Sequence, residues 1–185
     1  RARGCDPFTI TKFEKTHHST DVQSNFEALE GQTVAIAGRL MAKRVMGKAA
    51  FAHLQDERGR IQFYCRRDDI GVEEYKDFKA MDIGDIVGVV GHVFKTQTGE
   101  ISVHADSVHL LAKSLLPLPE KFHGLKDQDL RYRQRQVDMI VNPHVREAFV
   151  VRTKVIKEFR RILDDLDYLE VETPILQTQA GGANA

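Results

Sequence analysis

The sequence has no tryptophan, only two cysteines and five prolines, and no excess of charge: 27 Lys and Arg balance 27 Asp and Glu. Each shortage closes off a class. Cys5 and Cys65 stand far apart and form no CxxC pair. That excludes a disulfide framework and a thiolate zinc site, and it points to a reducing, cytoplasmic setting. No apolar run approaches the roughly 20 residues of a membrane helix. No basic-then-apolar leader opens the chain. A net charge of zero argues against a simple electrostatic binder of duplex nucleic acid, though not against a local basic face. The first residue is Arg1 rather than Met, so the stretch reads as a piece of a longer chain.

What is present is a globular composition, 42% hydrophobic and 29% charged, outside the disordered range. Four zones can be read along it. Residues 1–30 are polar and irregular, with a short helix near Val22–Leu29. Residues 31–111 read as strands. Residues 112–127 form a linker, marked by Leu116-Pro117-Leu118-Pro119 and Gly124. Residues 128–185 read mainly as helix.

The strand zone has five candidates, near 33–46, 50–55, 60–66, 85–95 and 100–111. Period-two alternation marks the first three. Val34, Ile36 and Leu40 share one face of the first, and Arg39, Met41 and Lys43 the other. Ala52 and Leu54 oppose Phe51 and His53 in the second. Ile61, Phe63 and Cys65 point inward in the third, with Gln62 and Tyr64 outward. Asp56-Glu57-Arg58-Gly59 and Thr98-Gly99 supply hairpin turns. A helical stretch near 72–81 separates strands three and four. Three strands, a helix and two strands is the order of an OB-fold, a five-stranded barrel that binds oligonucleotides on a wall built largely from strands two and three. Another small barrel or sandwich of similar strand count stays open. Gly38, Gly88 and Gly91, inside strands, suit the coiling of a small barrel.

In the last zone Asn142-Pro143 offers an N-cap and a first helical residue. Val145, Phe149, Ile156, Phe159, Leu163 and Leu166 recur near helical spacing, and the helix is expected to end by Asp167. Leu169 and Val171 alternate with Glu170 and Glu172 as a short strand ended by Pro174.

From Gly31 to Gln55 there is no Asp or Glu, while Arg39, Lys43, Arg44 and Lys48 are present. Parity sets Arg39 and Lys43 outward on strand one, beside Phe51, His53, Gln62 and Tyr64. Cations for phosphates and flat rings for splayed bases are what single-stranded nucleic acid calls for. Gln62 and Glu100 add groups able to bond base edges. Plainer readings stand beside these. Phe51 also suits packing against a loop, and His53 a structural role. Arg39 and Lys43 suit a solvated face, and Glu100, beside a turn, surface decoration. His17, His18, His92, His104 and His109 match no metal-ligand spacing, so no metal site is expected.

Longer strings narrow the choice. GRLMAKRVMGKAAFAHLQD, residues 38–56, resembles the first two barrel strands of bacterial-type lysyl-tRNA synthetases. The stretch 82–140 resembles that family more closely still, above all KFHGLKDQDLRYRQR at 121–135. DYLEVETPIL, residues 167–176, is similar to the first signature motif of class II synthetases, and AGGANA continues in the lysyl pattern. The resemblance covers roughly residues 5–185. It implies a mainly β architecture with helices: a five-stranded OB-fold barrel followed by a truncated α+β class II catalytic domain.

The resemblance also implies roles. The barrel would recognise the anticodon of tRNA(Lys), whose central base is uridine. Phe51 falls where the family stacks an aromatic on that base. Arg44, Gln62 and Glu100 fall where it hydrogen-bonds the base, and Arg39 where it contacts nearby backbone or base. Together with His53 these are the expected anticodon residues. Gly181, Gly182 and Ala183 match a backbone loop of the family's amino-acid pocket. The helix after Asn142 and the strand before Pro174 match its homodimer interface. The family activates lysine with ATP and Mg²⁺ and then charges tRNA(Lys). The second and third motifs that hold ATP are not in the sequence, so no catalytic residue is expected here and the chain alone is expected to be inactive. Aspartyl and asparaginyl enzymes share the barrel and an RYR-type segment but not the whole string. They remain an alternative, as do a free-standing single-strand-binding OB module and a dimerising scaffold.

Overall fold

A computed structural model describes residues 6–119, 125–176 and Gly181, and the chain divides into two compact units between Leu118 and Pro119. In the first unit five strands close into a barrel in the order β1-β2-β3-β5-β4: β1 Thr33–Met46, β2 Ala49–Gln55, β3 Arg60–Arg66, β4 Ile86–Lys95 and β5 Ile101–Ala112. The long β1 serves two neighbours. Its first half pairs with β4 and its second with β2, both antiparallel. The barrel shuts through a parallel pairing of β3 with β5 (Gln62 opposite Ser102, Phe63 opposite Val103).

Alternation fills the interior. Ala52 and Leu54 of β2, Ile61, Phe63 and Cys65 of β3, Val87, Val89 and Val93 of β4 and Val103 of β5 are all buried. Burying a residue of this kind stabilises by about 1.5–3 kcal/mol for the larger side chains. Between β3 and β4 run the short α3 (Arg67–Ile70) and α4 (Val72–Ala80), which extends the core with Tyr75 and Phe78. Phe78 meets the Phe63 ring edge-on at 5.7 Å. Gly91 stands at a register shift between β4 and β5: a Cβ there would lie 2.0 Å from the His104 carbonyl oxygen, so only glycine fits.

The leading segment is stitched to the barrel more closely than its polar composition implies. Thr16 N–H donates to the Ala35 carbonyl at 2.9 Å, and Ala35 N–H donates back to Thr16 Oγ1 at 2.9 Å. The helices α1 (Ser19–Ser24) and α2 (Phe26–Leu29) follow, with Val22 fully buried in the core. Asp56, in the β2–β3 turn, accepts from Ser19 N–H at 2.6 Å and Ser19 Oγ at 2.8 Å.

The second unit holds α5 (Gln128–Arg133), α6 (Arg135–Val141) and α7 (Pro143–Asp165). Its polar centre is Asp138, fully buried, which accepts from Arg131 Nε at 3.0 Å, Arg135 Nη1 at 2.8 Å and Asn142 Nδ2 at 2.7 Å. Burial raises this carboxyl's pKa, but the donors outweigh it and hold the group below the usual carboxylate range. Asn142 therefore departs from the expected cap. It precedes α7, but its side chain makes no capping bond because its amide serves Asp138 and the Leu125 carbonyl. The strand expected around Leu169 and Val171 is also absent. Residues 168–174 lie outside helix and strand, with no partner strand among the described residues of this unit. Along α7, Val151, Val155, Phe159 and Ile162 remain exposed, Phe159 by 65%.

Candidate nucleic-acid interface

The outer wall of the barrel carries a groove of about 750 Å³, lined by Arg44, Phe51, His53, Gln62, Tyr64, Phe94 and the Thr96–Thr98 turn among others. Each strand contributes through its pleat. On β2 and β3, pairing sets Phe51 opposite Tyr64 and His53 opposite Gln62, all outward. The Phe51 and Tyr64 rings lie 4.9 Å apart. Tyr64 in turn meets Phe94 of β4 at 6.3 Å and His104 of β5 at 5.1 Å. The Phe51 ring is half-buried, one part packed on Tyr64 and the rest facing the groove. A wall of flat rings that stays open to solvent has the chemistry to stack bases.

The cations are arranged differently from the parity expectation. The β1–β2 register slips between Leu40 and Ala42, so β1 carries one extra residue there. A bulge of this kind reverses the facing of everything after it. Arg44 consequently pairs with Phe51 on the outer wall, and Lys43 pairs with the buried Ala52. The Lys43 ammonium turns to the C-terminal end of α4. It donates to the carbonyls of Met81 at 2.5 Å, Lys79 at 2.9 Å and Phe78 at 3.3 Å. Cations are favoured at helix C-termini, where carbonyls lack partners. Burial pushes the Lys43 pKa down, against the pull of Asp82 and Asp85. So Lys43, expected as an outward cation, is a helix-end anchor, although its stem still lines the groove.

Arg39 does face outward but lies off the groove. Its Nη1 donates to the Gly84 carbonyl at 2.7 Å, and burial lowers its pKa. Arg44, by contrast, has no hydrogen-bond or ion-pair partner among the described residues, and it is the cation beside the rings.

The polar end of the groove is a connected set. Gln62 Nε2 donates to Glu100 Oε2 at 2.7 Å, Ser102 Oγ donates to Gln62 Oε1 at 3.0 Å, and His53 Nε2 lies 3.3 Å from Glu100 Oε1. Four of the expected residues (Arg44, Phe51, His53 and Gln62) therefore line one groove, and Glu100 joins its polar rim. Sequence reasoning passed over Phe94 and Ser102. Phe94 follows the buried Val93 in β4, so alternation alone marks it as outward. Ser102 carries no local signal, because it is placed by the β3–β5 closure. Of the expected pocket loop, Gly182 and Ala183 lie outside the described residues. At Gly181 a Cβ would meet nothing within 4 Å.

Two protein families match the chain. An OB-fold nucleic acid binding domain matches residues 34–111, and the class II tRNA synthetases (D, K and N) match residues 127–185. The lysine–tRNA ligase of Clostridium tetani is 57% identical over 185 residues, all of this chain and 37% of the relative. That of Clostridium acetobutylicum is 57% identical over 183 residues, 99% of this chain and 36% of the relative. That of Carboxydothermus hydrogenoformans is 56% identical over 185 residues, 38% of the relative. The chain thus spans little more than a third of the length of these relatives. Matched along its whole sequence to their N-terminal portion, it belongs to the lysyl-tRNA synthetase family.

Proposed function

We propose that the outer wall of the barrel binds the anticodon loop of tRNA(Lys). The central uridine stacks on Phe51, Arg44 meets the adjacent phosphate or base, and Gln62 bonds the uracil edge. The observation that carries this is the half-open Phe51 ring, set in one groove with a guanidinium that has no partner among the described residues and with an oriented amide. Arg39, off the groove, reaches flanking backbone at most. The test is a fluorescence titration of the chain with a UUU anticodon stem-loop, against loops bearing the aspartate and asparagine anticodons. Preference for UUU is expected. Equal binding of all three, with steep salt dependence, would instead mark a general single-strand binder.

The wider proposal concerns the whole protein. It joins lysine to tRNA(Lys) in the cytoplasm, using ATP and Mg²⁺, and pairs as a homodimer through α7, whose exposed apolar face supports that reading. Sedimentation equilibrium reads the dimer directly. Among the described residues no group of three His, Cys, Asp or Glu is placed to hold a metal ion. We place the barrel domain at 31–111 and the start of the synthetase domain at 128, with 1–30 and 112–127 as leading segment and linker.

A further inference from the structure

The Gln62 amide is held at both ends. Its Nε2 donates to Glu100 Oε2 at 2.7 Å and its Oε1 accepts from Ser102 Oγ at 3.0 Å. The two partners constrain it differently. An ionised carboxylate only accepts, so the end of the amide facing Glu100 has to be the nitrogen. A serine hydroxyl donates or accepts by rotating. Ser102 therefore tolerates either sense, but it is fully buried and stops the amide from swinging away. Glu100 is itself steadied: His53 Nε2 stands 3.3 Å from its other oxygen, and its backbone N–H donates to Thr96 Oγ1 at 2.9 Å. Barrel closure assembles the set, with Gln62 opposite His53 on β2 and opposite Ser102 on β5.

The sense of an amide matters to a base. Uracil presents a carbonyl O4 beside N3–H, and cytosine presents an amino N4 beside a bare N3. The two edges have one shape and opposite donor–acceptor order. An amide free to turn over pairs with either, whereas a pinned amide pairs with one.

We propose that Glu100 and Ser102 are positioning residues, Glu100 fixing which end of the Gln62 amide donates and Ser102 holding the amide in place, and that together they make the groove select uracil over cytosine. Glu100 then acts through Gln62 and not on the base. This rests on the reading of the groove as an anticodon site.

The full chain is titrated with two anticodon stem-loops identical except for U or C at the central base, and the ratio of the two Kd values is the readout. In Glu100→Gln an acceptor-only group becomes one that pairs with either end of an amide. The U-over-C ratio is expected to fall about three- to tenfold, the range set by one hydrogen bond. Ser102→Ala moves it the same way. In a Gln62→Ala background neither change lowers the ratio further. A purely structural role would weaken both RNAs alike and leave the ratio standing. If Ser102→Ala does not fold, Ser102→Cys, close in shape and poor as a donor, reads the same quantity. The proposal is overturned if Glu100→Gln keeps the parent ratio, or if it lowers the ratio equally with and without Gln62, since that means direct contact with the base. A parent that binds the two loops alike would overturn the anticodon reading itself.

Discussion

Arg44 stands directly opposite Phe51 across the β1–β2 ladder, and it does so because β1 carries one residue too many between Leu40 and Ala42. Without that bulge Lys43 would face the rings. The two cations are therefore expected to behave differently toward RNA. Arg44→Ala should flatten the plot of log K against log salt by about 0.7, the release accompanying one phosphate contact on a single strand. Lys43→Met should change that slope less and lower the unfolding midpoint instead, because its ammonium holds three carbonyls at the end of α4. Equal slopes for the two variants would mean that both cations meet phosphate.

Phe51→Ala removes the ring that faces the groove and leaves Tyr64 behind it. Binding of a UUU stem-loop is expected to weaken by about 1–3 kcal/mol, the worth of one stacked base. The fold should survive, since Phe51 is half-exposed and the core beneath it is Ala50 and Ala52. A titration giving parent and variant the same affinity would remove Phe51 from the site.

The parts of this site that were legible in the sequence are those set by unbroken alternation. Strands β2 and β3 keep period two from end to end, so Phe51, His53, Gln62 and Tyr64 fall on the outer wall as counting expects. Counting fails on β1, where Met41 and Ala42 suit either face and no side chain announces the extra residue. Resemblance to a family placed Arg44 where parity did not. Glu100 and Ser102 become neighbours of Gln62 only when β3 and β5 close in parallel, and local periodicity does not encode a pairing across that distance. Around Leu169 and Val171 the error ran the other way. Alternation says that a segment suits a ladder, but a strand also needs a neighbour. At Asn142 a good capping side chain was drawn off by Asp138, a buried acid that needs its amide as a donor.

Cys65 tests whether the barrel is closed. It is fully buried, and burial, helped by the charges of Asp69 and Glu74, pushes its thiol up to about 12. The thiolate is the reactive form, so the native side chain has neither access nor charge for alkylation. Iodoacetamide at pH 8 should leave Cys65 unmodified in the folded chain and label it fully in strong urea, as read by peptide mass mapping. Prompt labelling without urea would mean that the β2–β3 edge opens.

Asp56 ties α1 to the β2–β3 turn and gives the fold a pH dependence of definite sign. Its carboxylate accepts from Ser19 N–H and Oγ and from the backbone N–H groups of Arg58 and Gly59, the last two at 2.8 Å each. Burial raises its pKa, but these donors outweigh it and bring the group below its ordinary value. A carboxyl with a lowered folded pKa adds stability that is fully present above the unfolded value, about 3.9, and is lost as pH falls through the folded one. Asp56→Asn sets an amide NH₂ against backbone donors and should cost about 1–3 kcal/mol at pH 7. The gap between parent and variant should then narrow as pH falls below the unfolded value of about 3.9 and on through the lower folded one. Urea melts at pH 7 and pH 3 measure both gaps. A gap that stays constant would mean that shape, and not the carboxylate's charge, fastens the helix to the turn.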